Sequence, residues 1–353
     1  MVKPILAAIL SVKSHILSDA EKYMLEQYNP LGIALFDRNI ISRTQIADLI
    51  ASIKEIMGRE DVIIAVDEEG GRVKRLKYVT HNLVSQNILG QTDNLNITSI
   101  HAKITSSEMQ QIGANFIFAP VLDVDYPDTT VALKNRCFSN DKEKIVKHGK
   151  IMCQEYINQG ICPCIKHIPG HGRAITDSHA QLPIIDSSIQ ELDADFYPFR
   201  QLNNMPAAMS GHILLKQVDG TNPVTISKIS IEEIIRKYIG FDGLLISDAL
   251  EMKALKGTIV QKALNAWEAG CDVVCYCQSD EQQMLQLCEK GKYLNDKSLE
   301  RFEKIKNIIC SKKETIVLDN QIKEYYSATS SFTEDNINYD ATEVLHQIKK
   351  GEN

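Results

Sequence analysis

The chain has no apolar run long enough to cross a bilayer. The longest run near its N-terminus, Pro4 to Leu10, stops at Ser11, Val12 and Lys13, whereas a membrane helix needs about 20 apolar residues. No small-residue cleavage site follows it, so the run reads as a first buried strand rather than a signal peptide, and the expected location is cytoplasmic. Positive charge is also scarce: 39 Lys and Arg against 46 Asp and Glu give a formal net charge of -7. Binding along a phosphate backbone needs clustered Lys and Arg, so neither nucleic acid nor a membrane is expected as a partner. The nine cysteines, from Cys137 to Cys310, include no C-x-x-C. The two C-x-C pairs, Cys162/Cys164 and Cys275/Cys277, are not expected to share a metal or a disulfide, and all the thiols are read as reduced. No Gly/Ser-rich or Pro-rich linker divides the chain, and no short sequence repeat is visible, so one catalytic domain is expected.

What is present fits a soluble, enzyme-sized globule of 353 residues, 44% hydrophobic and 24% charged, and α/β barrels of well over 200 residues fold as one unit. Short apolar, β-branched runs recur near 5–10, 32–36, 62–66, 116–122, 162–165, 206–210, 243–247 and 272–276, which makes eight candidate strands. Between them lie helical spacings opened by capping boxes, in which a Ser oxygen and a Glu or Gln side chain satisfy the first free amides. These are Ser18 to Glu21, Ser42 to Gln45, Ser188 to Glu191, Ser230 to Glu233 and Ser279 to Gln282. Eight alternating units predict a parallel sheet closed into a (β/α)8 barrel. The barrel domain is placed at 1–312. A polar helical extension, 313–353, is expected to pack on its exterior, with a loose end at Lys349 to Asn353.

A barrel puts its active site where the strands end, and four segments there carry chemistry. Lys166-His167-Ile168-Pro169-Gly170-His171-Gly172, continuing to Asp177-Ser178-His179, leaves the strand 162–165 as a loop dense in titratable groups. His167 and His171 have zinc-motif spacing, but Pro169 and Gly170 forbid the helix that would align them, and no Glu follows His167. Neither a metal nor a cofactor is expected. Val66-Asp67-Glu68-Glu69-Gly70-Gly71-Arg72 sets acidic residues beside paired glycines, which suits close backbone binding of hydroxyls. Leu244-Leu245-Ile246-Ser247-Asp248 ends an apolar strand on a carboxylate that is costly to bury unless it faces the barrel mouth. Phe116 to Asp123, with Asn135-Arg136-Cys137 downstream, is the fourth.

These motifs, in this order, resemble glycoside hydrolase family 3 and, within it, the single-domain β-N-acetylhexosaminidases of the NagZ type. The signature K-H-[FI]-P-G-H-G-x4-D-S-H is present from Lys166 to His179, and the likeness extends from Leu31 to about Asp272. The resemblance implies that Asp248 is the nucleophile of a retaining mechanism with a covalent glycosyl-enzyme. It implies that His179, on a mobile loop, is the acid/base and that Asp177 orients it. Asp67, Arg75, Arg136, Lys166 and His167 match positions that bind the terminal sugar, and His212 matches a recurring pocket or supporting histidine. The implied substrate is a small carbohydrate or muropeptide carrying terminal β-linked GlcNAc, acted on by a monomer. A β-glycosidase for another sugar and a non-catalytic muropeptide-binding barrel are the alternatives. Two departures stand out: Glu68, where the family commonly has Gln, and Ala249, where it often has a second acidic residue. Neither is expected to touch the catalytic or pocket groups.

Overall fold

Strands of a parallel sheet are covered on both faces, so their sequences need not alternate in polarity. In the computed structural model, which describes residues 3–76, 79–311 and 318–333, eight such strands close in chain order. They are β1 Leu6–Ser11, β2 Pro30–Leu35, β3 Ile63–Val66, β4 Phe116–Ile117, β5 Cys162–Ile168, β6 Ala207–Ser210, β7 Leu244–Ala249 and β8 Val273–Cys275. The seam sets Ala8 of β1 beside Val274 of β8, again in parallel. The expected (β/α)8 barrel is the fold.

Side chains at every second position divide between two cores. Ile9, Ile63, Phe116, Cys164, Leu244 and Ile246 fill the barrel, and Phe302 and Ile305 of the helix Asp296–Ile309 join them. That helix lies at the N-terminal end, where Arg301 meets Asp272 at 2.8 Å just ahead of β8. Leu10, Ile33, Ile64 and Leu245 face outward and pack under the surrounding helices. With one mouth covered, the cavity opens at the other.

Strand boundaries differ from expectation where function intrudes. β5 runs to Ile168, so Lys166 and His167 stand on the strand itself rather than in the loop after it. β7 likewise includes Asp248. β4 is only two residues long because Pro120 has no N–H to give to a ladder. The pairing resumes when Lys166 N–H donates to Pro120 O at 3.1 Å and Leu122 N–H to Lys166 O at 2.7 Å.

Ser18 and Ser188 form complete capping boxes. Ser42 accepts from the Gln45 amide, but the Gln45 side chain turns to Ile41 N–H instead. The other two predicted caps shift. Asp280, not Ser279, caps the helix Glu281–Lys290, and the Ser227 hydroxyl accepts from Ser230 N–H, so Ser230 lies inside its helix rather than at its start.

The helix Asp319–Thr329 falls within the expected extension and is tied to the barrel through Tyr325. The fully buried Tyr325 hydroxyl accepts from Val84 N–H at 2.9 Å and lies 3.0 Å from His101 Nδ1. The loose end expected at Lys349 to Asn353 lies outside the described residues. No helix among the described residues is long and apolar enough to cross a membrane.

Candidate active site

The sugar-pocket candidates are assembled around a residue not singled out from sequence. After β3 the chain makes a hairpin, Glu68–Gly70 against Val73–Lys74. Gly70 has φ +93° and sits so near Val84 that a Cβ would lie 2.3 Å from its carbonyl oxygen, so the turn requires glycine. The turn sends Glu69 inward, where Arg136 grips both its oxygens at 2.8 Å and Lys166 Nζ lies 2.6 Å away. Lys166 also donates to Asp67 at 2.8 Å. Burial would raise the Glu69 carboxyl, but the two cations outweigh it and hold it far below the usual range. Burial likewise works against the Lys166 ammonium, and Asp67 and Glu69 more than restore it. The result is a rigid, fully charged set of donors and acceptors at neutral pH.

Glu68 points the other way. Its carboxylate accepts from the Arg75 and Leu76 amides at 2.8 and 2.9 Å, and burial pushes its pKa up to about 7. It therefore does touch a pocket residue, through the Arg75 backbone, contrary to expectation. The Arg75 side chain reaches toward Asp37 at 3.9 Å and lies over the Phe36 ring.

His167 is fixed by the buried Asp123, whose Oδ2 lies 2.7 Å from His167 Nδ1 while Oδ1 accepts from His171 N–H at 2.7 Å. Asp123 follows an apolar run just as Asp248 does, and the same reasoning applied to it would have found it. His171 packs edge-on to His167, and burial lowers its pKa to about 4, so it is neutral.

Asp248 stands at the end of β7 with Oδ1 accepting from Ala249 N–H at 2.7 Å. Burial opposes ionisation, but the neighbouring His212, His167 and His179 and the Ala249 amide outweigh it and keep the pKa below normal. The second departure, Ala249, thus touches the Asp248 carboxylate through its backbone. Its carbonyl lies 3.1 Å from His212 Nε2, and His212 Nδ1 lies 2.8 Å from the Thr225 hydroxyl. His212 does not line the cavity; it braces the chain behind Asp248, and burial lowers its pKa.

The loop after β5 brings His179 into the cavity that Asp248 lines, near enough to lower the pKa of that carboxylate. Its ring Nδ1 lies 2.7 Å from Asp177 Oδ1, which also accepts from the His179 amide at 3.0 Å. The loop is docked onto the segment after β7 by bonds from Ala254 N–H to Ser178 O and from Lys253 N–H to His179 O. One cavity of about 370 Å³ is lined by all eight sequence candidates: Asp67, Arg75, Arg136, Lys166, His167, Asp177, His179 and Asp248. It also takes in Glu251, which the sequence did not flag. Glu251 accepts from Cys277 N–H at 3.2 Å, and burial raises its pKa to about 7.

Residues i and i+2 of a strand share a face, and Cys275 and Cys277 at the end of β8 have their sulfurs 3.5 Å apart on the cavity wall. Both are free thiols whose pKa is raised above the usual value, with burial contributing to each rise.

A barrel with an ionised carboxylate and an Asp-supported histidine beside a cluster of charged side chains in one cavity is the architecture of a glycoside hydrolase. The model of the glycosyl hydrolase family 3 N-terminal domain matches residues 6–308, and the chain belongs to that family. A beta-hexosaminidase of Neisseria meningitidis serogroup A is 35% identical over 286 residues, 78% of each chain. Another, of Haemophilus influenzae, is 32% identical over 77% of this chain and 80% of its own. The crystal structure of NagZ from Neisseria gonorrhoeae in complex with N-trifluoroacetyl-D-glucosamine superposes with a TM-score of 0.82 at 30% identity. The match covers 93% of this chain and 97% of that one.

Proposed function

We propose that the protein is a retaining exo-β-N-acetylglucosaminidase that removes terminal, non-reducing β-linked GlcNAc from peptidoglycan fragments, including GlcNAc-1,6-anhydro-MurNAc peptides, in cytoplasmic cell-wall recycling. The observation that carries this reading is the placement of the ionised Asp248 carboxylate and the His179–Asp177 pair in one cavity with the Asp67, Lys166 and Arg136 cluster. In the first half-reaction a carboxylate oxygen of Asp248 forms a bond to the anomeric carbon as the glycosidic C–O bond breaks. The departing oxygen takes its proton from protonated His179.

In the second half-reaction neutral His179 accepts a proton from water. The water oxygen bonds to the anomeric carbon, and the Asp248 ester bond breaks with net retention. Asp177 holds the imidazole by Nδ1, leaving Nε2 to exchange the proton. Asp67, Lys166, Arg136, Arg75 and His167 bind the sugar hydroxyls. A site of this kind penalises a sugar lacking the matching group, because buried charges would then go unpaired. The relatives named beta-hexosaminidase support N-acetylhexosamine as the sugar.

The test is hydrolysis of 4-nitrophenyl N-acetyl-β-glucosaminide by the wild type beside Asp248→Ala, with chelator present and a β-glucoside as control. Release of nitrophenol by the wild type alone, and from the N-acetyl sugar alone, is the expected result. Silence from both proteins refutes it.

A further inference from the structure

The cavity has two unlike sides. On one side, Lys166 of β5 and Arg136 of the loop after β4 are neutralised by Asp67 and Glu69, which follow β3. Across the mouth, on the loops after β8, β1 and β2, stands a cation with no such partner. Arg38 donates from Nε to Val12 O at 3.0 Å and from Nη2 to Cys277 O at 2.8 Å, with its guanidinium 4.5 Å over the Phe36 ring.

Three loops thus fix the group, yet carbonyls and a ring do not cancel its charge, and among the described residues it forms no ion pair. Of the acidic groups nearby, Glu21 is occupied by the Lys13 and Ser18 amides at 2.7 and 2.8 Å. Glu251 is held by the Cys277 amide. Lys13, exposed at the rim, turns its side chain to the same cavity. Of the six Lys and Arg that line the cavity, Arg136, Lys166 and Arg75 face Glu69, Asp67 and Asp37, so on this side the positive charge with no ion pair among the described residues is that of Arg38 and Lys13. A half-buried guanidinium with no carboxylate bonded to it is costly, and an anionic ligand that bonds it directly relieves that cost.

We propose that Arg38, with Lys13 beside it, is a carboxylate-binding subsite for the leaving-group half of the substrate, so that the protein prefers glycosides whose aglycone carries an anion. This rests on the glycosidase reading above and adds the residues that read the aglycone. The fixed plane of the guanidinium matches a carboxylate at two points, while Lys13 adds a mobile point charge. The positive charge of Arg38 and Lys13 draws an anion to this side of the mouth.

The experiment compares kcat/KM for 4-nitrophenyl and 3-carboxy-4-nitrophenyl N-acetyl-β-glucosaminide, taking the ratio of carboxylated to neutral substrate for the wild type, Arg38→Gln and Lys13→Ala. Differences in intrinsic leaving-group reactivity cancel when ratios are compared between proteins. The ratio is expected to fall about tenfold in Arg38→Gln and about threefold in Lys13→Ala. In the wild type it is expected to fall as NaCl is raised, because the attraction is screened. A ratio constant within twofold across the proteins and salt concentrations overturns the subsite while leaving the glycosidase reading standing. If Arg38→Gln does not fold, Lys13→Ala and the salt series decide by the same criterion. A wild type that cleaves neither substrate refutes both readings.

Discussion

Glu69 receives the Arg136 guanidinium at two points, Nε on one carboxylate oxygen and Nη2 on the other, each at 2.8 Å, while Lys166 closes on it at 2.6 Å. Removing the carboxylate leaves the half-buried Arg136 guanidinium without its ion pair and the buried Lys166 with Asp67 alone. Glu69→Ala is therefore expected to lose about 3–5 kcal/mol of folding stability and to raise KM. An exposed helical pair gives the contrast: Glu233 meets Lys237 at 2.6 Å with both side chains more than half exposed, so Glu233→Ala should cost under ~1 kcal/mol. Urea unfolding of both variants reads the difference, and equal losses would show that Glu69 is no anchor.

Glu68 makes stability depend on pH. Its folded pKa, about 7, is raised from 4.5 by burial against the two amide bonds it accepts. Folding thus binds its proton more tightly. The favourable contribution is complete below pH 4.5 and is lost as pH rises toward and through about 7. By that shift the loss amounts to ~3 kcal/mol at most. Glu68→Gln keeps an oxygen for both amides and has no proton to lose, so its stability should fall less between pH 5 and pH 8 than that of the wild type. Glu251, similarly raised, adds the same slope to both proteins and cancels in the comparison. Parallel pH profiles from denaturant titration would refute the assignment.

How far this was readable from sequence depends on whether a residue acts through its neighbours in the chain or across the barrel. The strands are built on apolar runs, legible because burial on both faces demands them, and β5 and β7 carry their charged residues toward their C-terminal ends. Asp177 and His179 are two residues apart, so their pairing is local. Arg136 and Glu69, by contrast, are 67 residues apart, and nothing in the Asp67-Glu68-Glu69 run says which carboxylate turns inward. The Gly70 turn, set by its approach to Val84, decides that. Ser279 gives a cap signal as good as that of Asp280, and packing chose between them. Glu251 becomes part of the site only through the Cys277 amide, contributed by the next strand.

The imidazole and its carboxylate should separate by leaving group. His179→Ala is expected to lower kcat by about 10²–10⁴-fold on a glycoside with an alkyl leaving group, the range for lost acid/base assistance. The loss should be smaller on the nitrophenyl glycoside, whose leaving group needs little protonation. Asp177→Asn keeps the ring but weakens its orientation and charge support, so its loss should be smaller than that of His179→Ala on both. A His179→Ala variant equally impaired on both substrates would argue against acid catalysis by this residue.

Tyr325 tests whether the helix Asp319–Thr329 belongs to the working fold. Its hydroxyl accepts from Val84 N–H and meets His101, whose pKa burial lowers to about 4. Tyr325→Phe leaves both buried groups without that partner, at a cost of about 1–3 kcal/mol. The Val84 carbonyl also abuts Gly70, at the turn that directs Glu69 into the pocket. KM should therefore rise along with the loss of stability. A destabilised variant with unchanged KM would confine the helix to a covering role.

Gly172 lies in the loop that carries His179, shortly after β5 ends at Ile168. A Cβ there would lie 1.9 Å from Val124 O, a backbone atom that no rotamer change can move away. The carbonyl of Gly172 also accepts from the Thr129 hydroxyl at 2.6 Å, so the loop is fixed from both sides. Gly172→Ala must shift this stretch of backbone, at about 1–3 kcal/mol for overpacking. The displacement passes along the chain to Asp177 and His179, whereas Asp67, Glu69 and Asp248 stand on other strands. A misplacement of ~1 Å costs about 10²-fold in rate, so kcat should fall far more than KM rises. Steady-state kinetics on the folded variant decides the matter: a rise in KM with kcat intact would mean that the loop serves the sugar pocket rather than the proton transfer.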